Sequence, residues 1–487
     1  MNEPTASEIS VDLGNRGKYD KRNRLNDLTG KEWLTLSTTI WPSKSAKYGV
    51  LSKEDVIKLV SFFSKERSKV LLIGGNLAYM CEGCNRFIRK IEDTHVGEVF
   101  DYILLELPHE NSAAAEHGLL PYIAELAKFL NSALAMKRYV TIIFEEPYYS
   151  DANKRQLELN GRMEENGFVF KGKVNLIFDG GVYCQYNEKI RILNRHVFLM
   201  HFKKVENVDL SSAEIEILLK AFQSETHYST TDLAISRELG EQKTSVWPSL
   251  TRLDEIGKLH PAPFSYLDVE KLVRIFTNPG EHVLDPFVGV ASTLIACGRS
   301  MRKGTGIDLN NDYIELGQKR VAQFLFASHD LTLIHGDAIV ELPKLSTKFD
   351  YCVTSPPYHN ILRNLGGGVR NDNSQFRQGV KYYSESENDL GNQKDFKGYV
   401  SKFTSIMSLV RNCLREKAFC SIVISDFTVQ KRETGVTSHI IDSLTSIGFK
   451  YVGTILLVQS QKAIYPFGYP YDFVINHVNQ YVLNFMR

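Results

Sequence analysis

The sequence predicts an α/β protein of two tandem units, each a mostly parallel sheet with helices on both faces, the first a shortened relative of the second. Three observations predict it. At 487 residues, 43% hydrophobic and 24% charged, the chain is too long for one ordinary core yet ordinary in composition for a globular protein. Short apolar, β-prone runs alternate with stretches whose apolar residues fall at helical spacing, the pattern of βαβ units. Segments of the first half also recur, in the same order, in the second.

The recurrence starts at Thr38-Thr39-Ile40-Trp41-Pro42-Ser43, echoed at Thr244-Ser245-Val246-Trp247-Pro248-Ser249. The helical pattern from Asp55 to Phe63 reads like that from Asp268 to Phe276, and each feeds an apolar strand, Val70–Ile73 or Val283-Leu284. The run from Phe100 to Asn111 lines up with Phe349 to Asn360. A helix through Phe129 and Leu134 precedes the strand Tyr139–Phe144, as one through Leu409 and Leu414 precedes Phe419–Ile424. Gly167-Phe168 matches Gly448-Phe449, and the closing run His196–Phe202 is set against Gln480–Met486. Trp41 and Trp247 stand 206 residues apart, Phe100 and Phe349 249 apart, so the second copy carries roughly forty extra residues, mostly before its Phe-Asp-Tyr strand. The expected division is 1–205, a connector over 206–258, and 259–487. The connector begins with the helix start Ser211-Ser212-Ala213-Glu214 and reads as helical, with a winged-helix-like module as the alternative.

A net charge of +1 gives no global basic field, so any nucleic-acid surface has to be local. The polar stretch Met1–Asn26 has no apolar core of a signal peptide, and no apolar run is long enough to span a membrane. Seven scattered cysteines fit a reducing cytoplasm. Cys81 and Cys84 form a lone CxxC with no second pair at ligand spacing, so no metal is expected.

The polar clusters of the second half fall at strand ends. His282-Val283-Leu284-Asp285 runs into Pro286-Phe287-Val288-Gly289-Val290-Ala291-Ser292-Thr293 and then an apolar helix, a strand–turn–helix whose backbone amides can approach a polar cofactor. Gly304-Thr305-Gly306-Ile307-Asp308 ends a second strand with a carboxylate suited to ribose hydroxyls. Leu333-Ile334-His335-Gly336-Asp337 ends a third. Val353-Thr354-Ser355-Pro356-Pro357-Tyr358 ends a fourth, where two prolines fix two φ angles between a small hydroxyl and an aromatic. That makes a stiff wall for a flat object with a polar edge, such as a nucleobase bearing an amine. By itself the hexapeptide reads rather as a proline-rich turn with a stacked tyrosine. Together, the clusters occupy the end of the sheet where open α/β folds bind ligands.

In this order the segments resemble the S-adenosylmethionine-dependent DNA amino-methyltransferases, with a Rossmann-like fold, over about 259–487. The family's DPFxGSGT segment is present as Asp285-Pro286-Phe287-Val288-Gly289-Val290-Ala291-Ser292, its acidic second-strand end as Asp308, and its (D/N/S)PP(Y/W) motif as Ser355-Pro356-Pro357-Tyr358. His260-Pro261-Ala262-Pro263-Phe264 is similar to the family's segment packing beside the cofactor, and Tyr465–Pro470 with Asn476-His477 to its C-terminal segment. The resemblance implies that Phe264, Pro286, Phe287, Gly289, Ser292 and Thr293 hold the cofactor's methionine part, with Asp285 supporting the loop. Asp308 takes the ribose and Asp337 the adenine amine. Ser355, Pro356, Pro357 and Tyr358 are the implied catalytic residues. The family's serine and second glycine are Val290 and Ala291 here.

The implied partner is double-stranded DNA with its target base flipped out. A serine at the motif's first position is commoner among members acting on N4 of cytosine than on N6 of adenine. A cognate restriction endonuclease is the partner such enzymes admit, although no stretch of this chain looks like a nuclease core. An RNA base or a protein glutamine as substrate, or a catalytically dead DNA-binding protein, are the alternatives. In the first copy Glu106, Leu107 and His109 replace Ser355, Pro356 and Tyr358, and Leu72 replaces Asp285, so that half is expected to be inactive. Asp426 is read either as facing the base or as capping a turn. The long connector from Ile361 to Gly398, with Arg363, Arg370, Arg377 and Lys381, reads as a DNA-contacting loop beside the pocket, with a disordered insert as the alternative.

Overall fold

Two mixed sheets lie in tandem, and their strand orders are nearly the same. The computed structural model describes residues 20–43, 51–74, 77, 81, 84–106, 119–144, 153–185, 191–224, 245–249, 254–260, 264–324, 330–359, 383–429, 432–460, 462, 464–466 and 468–487. The first sheet contains β1 (Ile40–Pro42), β2 (Lys69–Ile73), β3 (Phe87–Lys90), β4 (Phe100–Glu106), β5 (Leu134–Phe144), β6 (Phe168–Gln185) and β7 (Arg191–Lys204), in the order β1-β6-β7-β5-β4-β2-β3. The second contains β8 (Val246–Pro248), β9 (His282–Asp285), β10 (Lys303–Asp308), β11 (Leu331–His335), β12 (Phe349–Thr354) and β13 (Leu414–Ile424). After a two-stranded hairpin, β14 (Thr428–Val429) and β15 (Arg432–Glu433), β16 (Lys450–Val458) and β17 (Asn479–Met486) complete it, in the order β11-β10-β9-β12-β13-β17-β16-β8. Without β11 the two orders coincide, and β11 lies where the second copy was expected to carry its extra residues.

The irregularities repeat as well. The register shifts between Phe100 and Tyr102 against β5, and between Phe349 and Tyr351 against β13. It shifts again between Phe170 and Gly172 against β7, and between Tyr451 and Gly453 against β17. Both glycines have positive φ, 117° and 140°, the backbone state such a bulge needs and other residues resist. Tyr102 donates to Thr141 at 2.7 Å, and Tyr351 donates to Ser421 at 2.7 Å, the same buried bond in each core.

One expected pairing is corrected. The sequence sets His196 against Gln480, but in the sheets Thr141 faces His201 while Ser421 faces Asn484. The equivalent of His196 is therefore Asn479, one residue earlier, a slip that would otherwise invert every side chain's face. Both closing runs are apolar on both faces, so alternation could not fix their phase.

The units are joined reciprocally. Thr39 in the first donates to Asn479 in the second at 2.6 Å, while Ser245 in the second sits 3.0 Å from His196 Nδ1 in the first. Ile475 is buried in the first unit's core and its counterpart Ile192 in the second's. Phe473 packs edge-on against Phe62 and Phe63, and Asp472 accepts from Tyr139 at 2.5 Å, Lys203 at 2.9 Å and Lys171 at 3.2 Å. Between the sheets, Ser212–Ser224 is helical, and residues 225–244, part of the 206–258 connector for which a winged-helix-like module was the alternative, lie outside the described residues. Among the described residues no helix is long and apolar enough to cross a membrane.

Candidate active site

The carboxyl ends of β9, β10, β11 and β12 open onto one cavity of about 690 Å³, its open mouth included. Parallel strands bring these ends together because each β–α crossover returns the chain in the same direction. β9 pairs β10 and β12, and β10 pairs β11, all in parallel. Of the thirteen site residues expected from sequence, eight line the cavity: Pro286, Phe287, Asp308, Asp337, Ser355, Pro356, Pro357 and Tyr358. The other five, Phe264, Asp285, Gly289, Ser292 and Thr293, stand behind the lining.

Those five form the loop's support. Asp285, buried, accepts from Thr293 Oγ1 at 2.5 Å, Thr354 Oγ1 at 2.6 Å and Phe287 N at 3.0 Å, which ties β9 to β12. Burial pushes its carboxyl up to about 6 against those bonds. Ser292 donates to the Phe264 carbonyl at 2.6 Å and accepts from Arg320 Nη1 at 2.9 Å, so its hydroxyl is committed to the protein. Arg320, fully buried, also donates to the Val290 carbonyl and pairs with Asp254 at 2.7 Å. Gly289 has φ +50°, and a Cβ there would lie 3.2 Å from His260 Nε2. Ala291 takes φ 64°, ψ 31° just before the helix Ser292–Arg299, a left-handed state that disfavours alanine by about 1–2 kcal/mol and that glycine takes freely. Gly306 is required by contact: a Cβ would sit 2.5 Å from Val288 Cγ2.

Asp308 ends β10 and accepts from Gly289 N at 2.8 Å and Asn310 N at 2.9 Å. Burial is the main cause that pushes its carboxyl up to about 6, with Asp285 and Asp389 adding to the rise. Asp337 caps the helix Ala338–Glu341, accepting from Ile339 N at 2.9 Å. With Asp389, three carboxylates and no lysine or arginine line the cavity among the described residues. Such a lining suits a cation bearing hydroxyl and amine donors and repels phosphate. It fits S-adenosylmethionine, which carries a sulfonium, an ammonium and ribose hydroxyls.

Tyr358 is 9% exposed; its hydroxyl accepts from Ser425 N at 3.1 Å, and its ring lies edge-on to Phe427, centroids 6.0 Å apart. His260, from the segment expected beside the cofactor, also lines the cavity, as do Tyr313, Tyr383 and Asp389, which were not expected there. His260 packs on Tyr313 at 4.7 Å between ring centroids. Tyr383 and Asp389 lie within the long connector, where sequence offers no periodicity to place them; residues 360–382, with all four of its basic candidates, lie outside the described residues. Asp426 takes the capping role: it accepts from Thr437 N at 2.9 Å at the start of the helix Val436–Ser446. In the first unit the positions of Asp285 and Thr354 are held by buried Leu72 and Leu105, and that of Ser355 by Glu106; residues 107–118 lie outside the described set.

Residues 109–319 match the DNA methylase family model of N6 and N4 methyltransferases, a range running from just past β4 into the helix Asn311–Ala322 and ending before Ser355. The type II methyltransferase M2.DpnII of Streptococcus pneumoniae is 35% identical over 98 residues, 20% of this chain and 36% of its own length. The type II methyltransferase M2.LlaDCHI of Lactococcus lactis subsp. cremoris is 28% identical over 188 residues, 37% of this chain and 68% of its own length. The DNA adenine methyltransferase YhdJ of Escherichia coli is 33% identical over 79 residues, 16% of this chain and 27% of its own length. The chain thus spans about a third of the length of the first of these relatives and about two thirds of the second.

Proposed function

We propose that the chain is an S-adenosylmethionine-dependent DNA amino-methyltransferase, a reading supported by its similarity to the DNA methylase family model and to type II methyltransferases, and that it methylates an exocyclic amine in DNA, N4 of cytosine in preference to N6 of adenine. The observation that carries this reading is that Ser355, Pro356, Pro357 and Tyr358 line the same cavity as Asp308 and Asp337. Bound there, S-adenosylmethionine supplies a sulfonium methyl as the electrophile. The residues of the chain hold and orient. Asp308 accepts the ribose hydroxyls and Asp337 the adenine amine, while Phe287 and Pro286 wall the methionine part.

The target base leaves the stack to enter the cavity, and Tyr358 lies against its face. The Ser355 hydroxyl and the Pro356 carbonyl accept from the amine, which fixes the nitrogen lone pair toward the methyl. Placement and the carboxylate field supply the rate, with no covalent enzyme intermediate. Preference for cytosine rests on serine at the first motif position; the adenine methyltransferase among the relatives keeps N6 as the competing outcome. A cognate restriction endonuclease is the partner proposed.

Methylation-aware sequencing of DNA from cells expressing the wild type or Ser355→Ala tests the reading. The expected result is N4-methylcytosine at one sequence context, reduced by roughly 10²-fold or more in the variant with cofactor affinity unchanged. N6-methyladenine would overturn the base preference. Label transferred only to RNA or protein would overturn the DNA reading.

A further inference from the structure

The wall of the second unit's cavity is braced by the first unit. Residues 425–427, at the end of β13, back the Tyr358 ring: Ser425 N donates to its hydroxyl and Phe427 lies edge-on to it. Two side chains of the first unit hold that short segment. Ser425 Oγ donates to the Asn479 carbonyl at 3.0 Å, and the Asn479 side-chain oxygen accepts from Thr39 at 2.6 Å. Asp426 pairs with Lys173 at 3.4 Å, their side chains only 3% and 5% exposed. The Lys173 ammonium donates to Thr437 Oγ1 at 2.7 Å, and that hydroxyl donates to the Asp426 carboxylate at 3.0 Å. The ammonium also lies 4.5 Å from the Tyr481 ring centroid and 4.9 Å from that of Phe198.

Adhesion between the units does not call for this pair. A buried ion pair loses much of its Coulomb gain to desolvation, and apolar residues of similar volume hold surfaces together as well or better. What it supplies is fixed geometry at one carboxylate. Nor is the lysine a by-product of duplication: its counterpart in the second unit, next after the bulge glycine, is Thr454. It belongs to the unit whose own pocket positions carry leucines, and it reaches the residue beside the one that holds Tyr358.

We infer that the first unit acts as an internal positioning subunit, in which Lys173 and Thr39 fix residues 425–427 and, through them, the ring of Tyr358. This rests on the proposed role of Tyr358 as the surface against which the target base lies. Lys173 and Thr39 are positioning residues; neither lines the cavity.

The test uses Lys173→Met and Thr39→Val in the full chain, assayed with labelled S-adenosylmethionine on unmethylated genomic DNA. Each variant is expected to lower kcat by roughly tenfold, with the cofactor Kd from calorimetry held within about twofold. In a Tyr358→Phe background, which lacks the hydroxyl that Ser425 holds, each is expected to lose most of its effect, because coupled residues are not additive. Full additivity, or an equal loss of cofactor affinity, would overturn the inference. If Lys173→Met does not fold, Thr39→Val carries the comparison. A second readout needs no activity: in protein labelled with 3-fluorotyrosine, the Tyr358 resonance, identified by its loss in Tyr358→Phe, is expected to shift or broaden in both variants. An unchanged resonance overturns the inference. If the wild type methylates no DNA, the proposed function fails, while the fluorine spectrum still decides the bracing.

Discussion

Replacing Asp308 with asparagine separates the cavity's charge from its shape. The carboxyl rises from 3.8 to about 6 in the ligand-free protein, which corresponds to about 3 kcal/mol of disfavoured ionisation. A raised carboxyl contributes stability that is full below the unfolded value near 4 and is lost as pH climbs through 6, so the folded protein is penalised for this charge at neutral pH. A ligand bringing hydroxyl donors and positive charge favours the ionised form. Cofactor affinity is therefore expected to climb between pH 5 and 7, by at most about tenfold per unit below 6, and then to level off.

Asp308→Asn removes the titrating group. Its affinity is expected to be flat over that range and, at pH 7, weaker by roughly ten- to a hundredfold, the loss of a hydrogen bond to a charged acceptor. Stability discriminates less. Relief of the buried charge is offset by the substituted amine facing either Gly289 N or Asn310 N, a mismatch of about 1–3 kcal/mol. Calorimetry across pH, in buffers of different ionisation enthalpy, reads both affinity and proton release. Equal wild-type affinity at pH 5.5 and 7.5, or a slope that survives in the variant, would refute the placing of the cofactor against Asp308. Asp285, also raised to about 6, is the control: unlike Asp308 it does not line the cavity, so Asp285→Asn should keep the slope.

Other outcomes follow from the same geometry. Gly306→Ala drives a methyl into Val288 and is expected to destabilise by about 1–3 kcal/mol in thermal melts while weakening cofactor binding through the displaced loop. Asp472→Asn replaces the carboxylate shared by Tyr139, Lys171 and Lys203 with a neutral amide that keeps one acceptor oxygen. Burial draws the Asp472 carboxyl up, but Lys171, Tyr139 and Lys203 outweigh it and hold the carboxyl below the usual 3.8. Its contribution is thus present above that value and lost as pH falls further. The variant should unfold about 2–4 kcal/mol more easily at pH 7, with the difference shrinking in strong acid.

Much of the fold was legible because duplication supplied an internal comparison. Trp41 with Trp247, and Phe100 with Phe349, set the frame, and the strand ends carrying Asp308, Asp337 and Ser355 could be ordered from it. Phase failed at the closing strand, where β7 and β17 are apolar on both faces and nothing in the pattern separates His196 from its neighbours. At the site, sequence located the lining carboxylates of β10 and β11 but assigned Ser292 and Thr293 to the same surface. Their hydroxyls are turned to Phe264, Arg320 and Asp285, a choice made by three-dimensional packing. Tyr383 and Asp389 reach the cavity from within a connector without periodicity, and Lys173 reaches Asp426 from a different unit, so no local pattern announces either.

The reciprocal joint between the units has a consequence for how such a molecule can change. In a twofold assembly of identical subunits every substitution appears twice, so a lysine placed to serve one site would also be imposed on the other. Joining the copies in one chain releases that constraint: Thr454 and Lys173 occupy equivalent positions with different tasks. The covalent link also keeps the brace at its post at any dilution, where a separate partner would be lost by mass action. One half could shed its own pocket and become scaffolding for its neighbour.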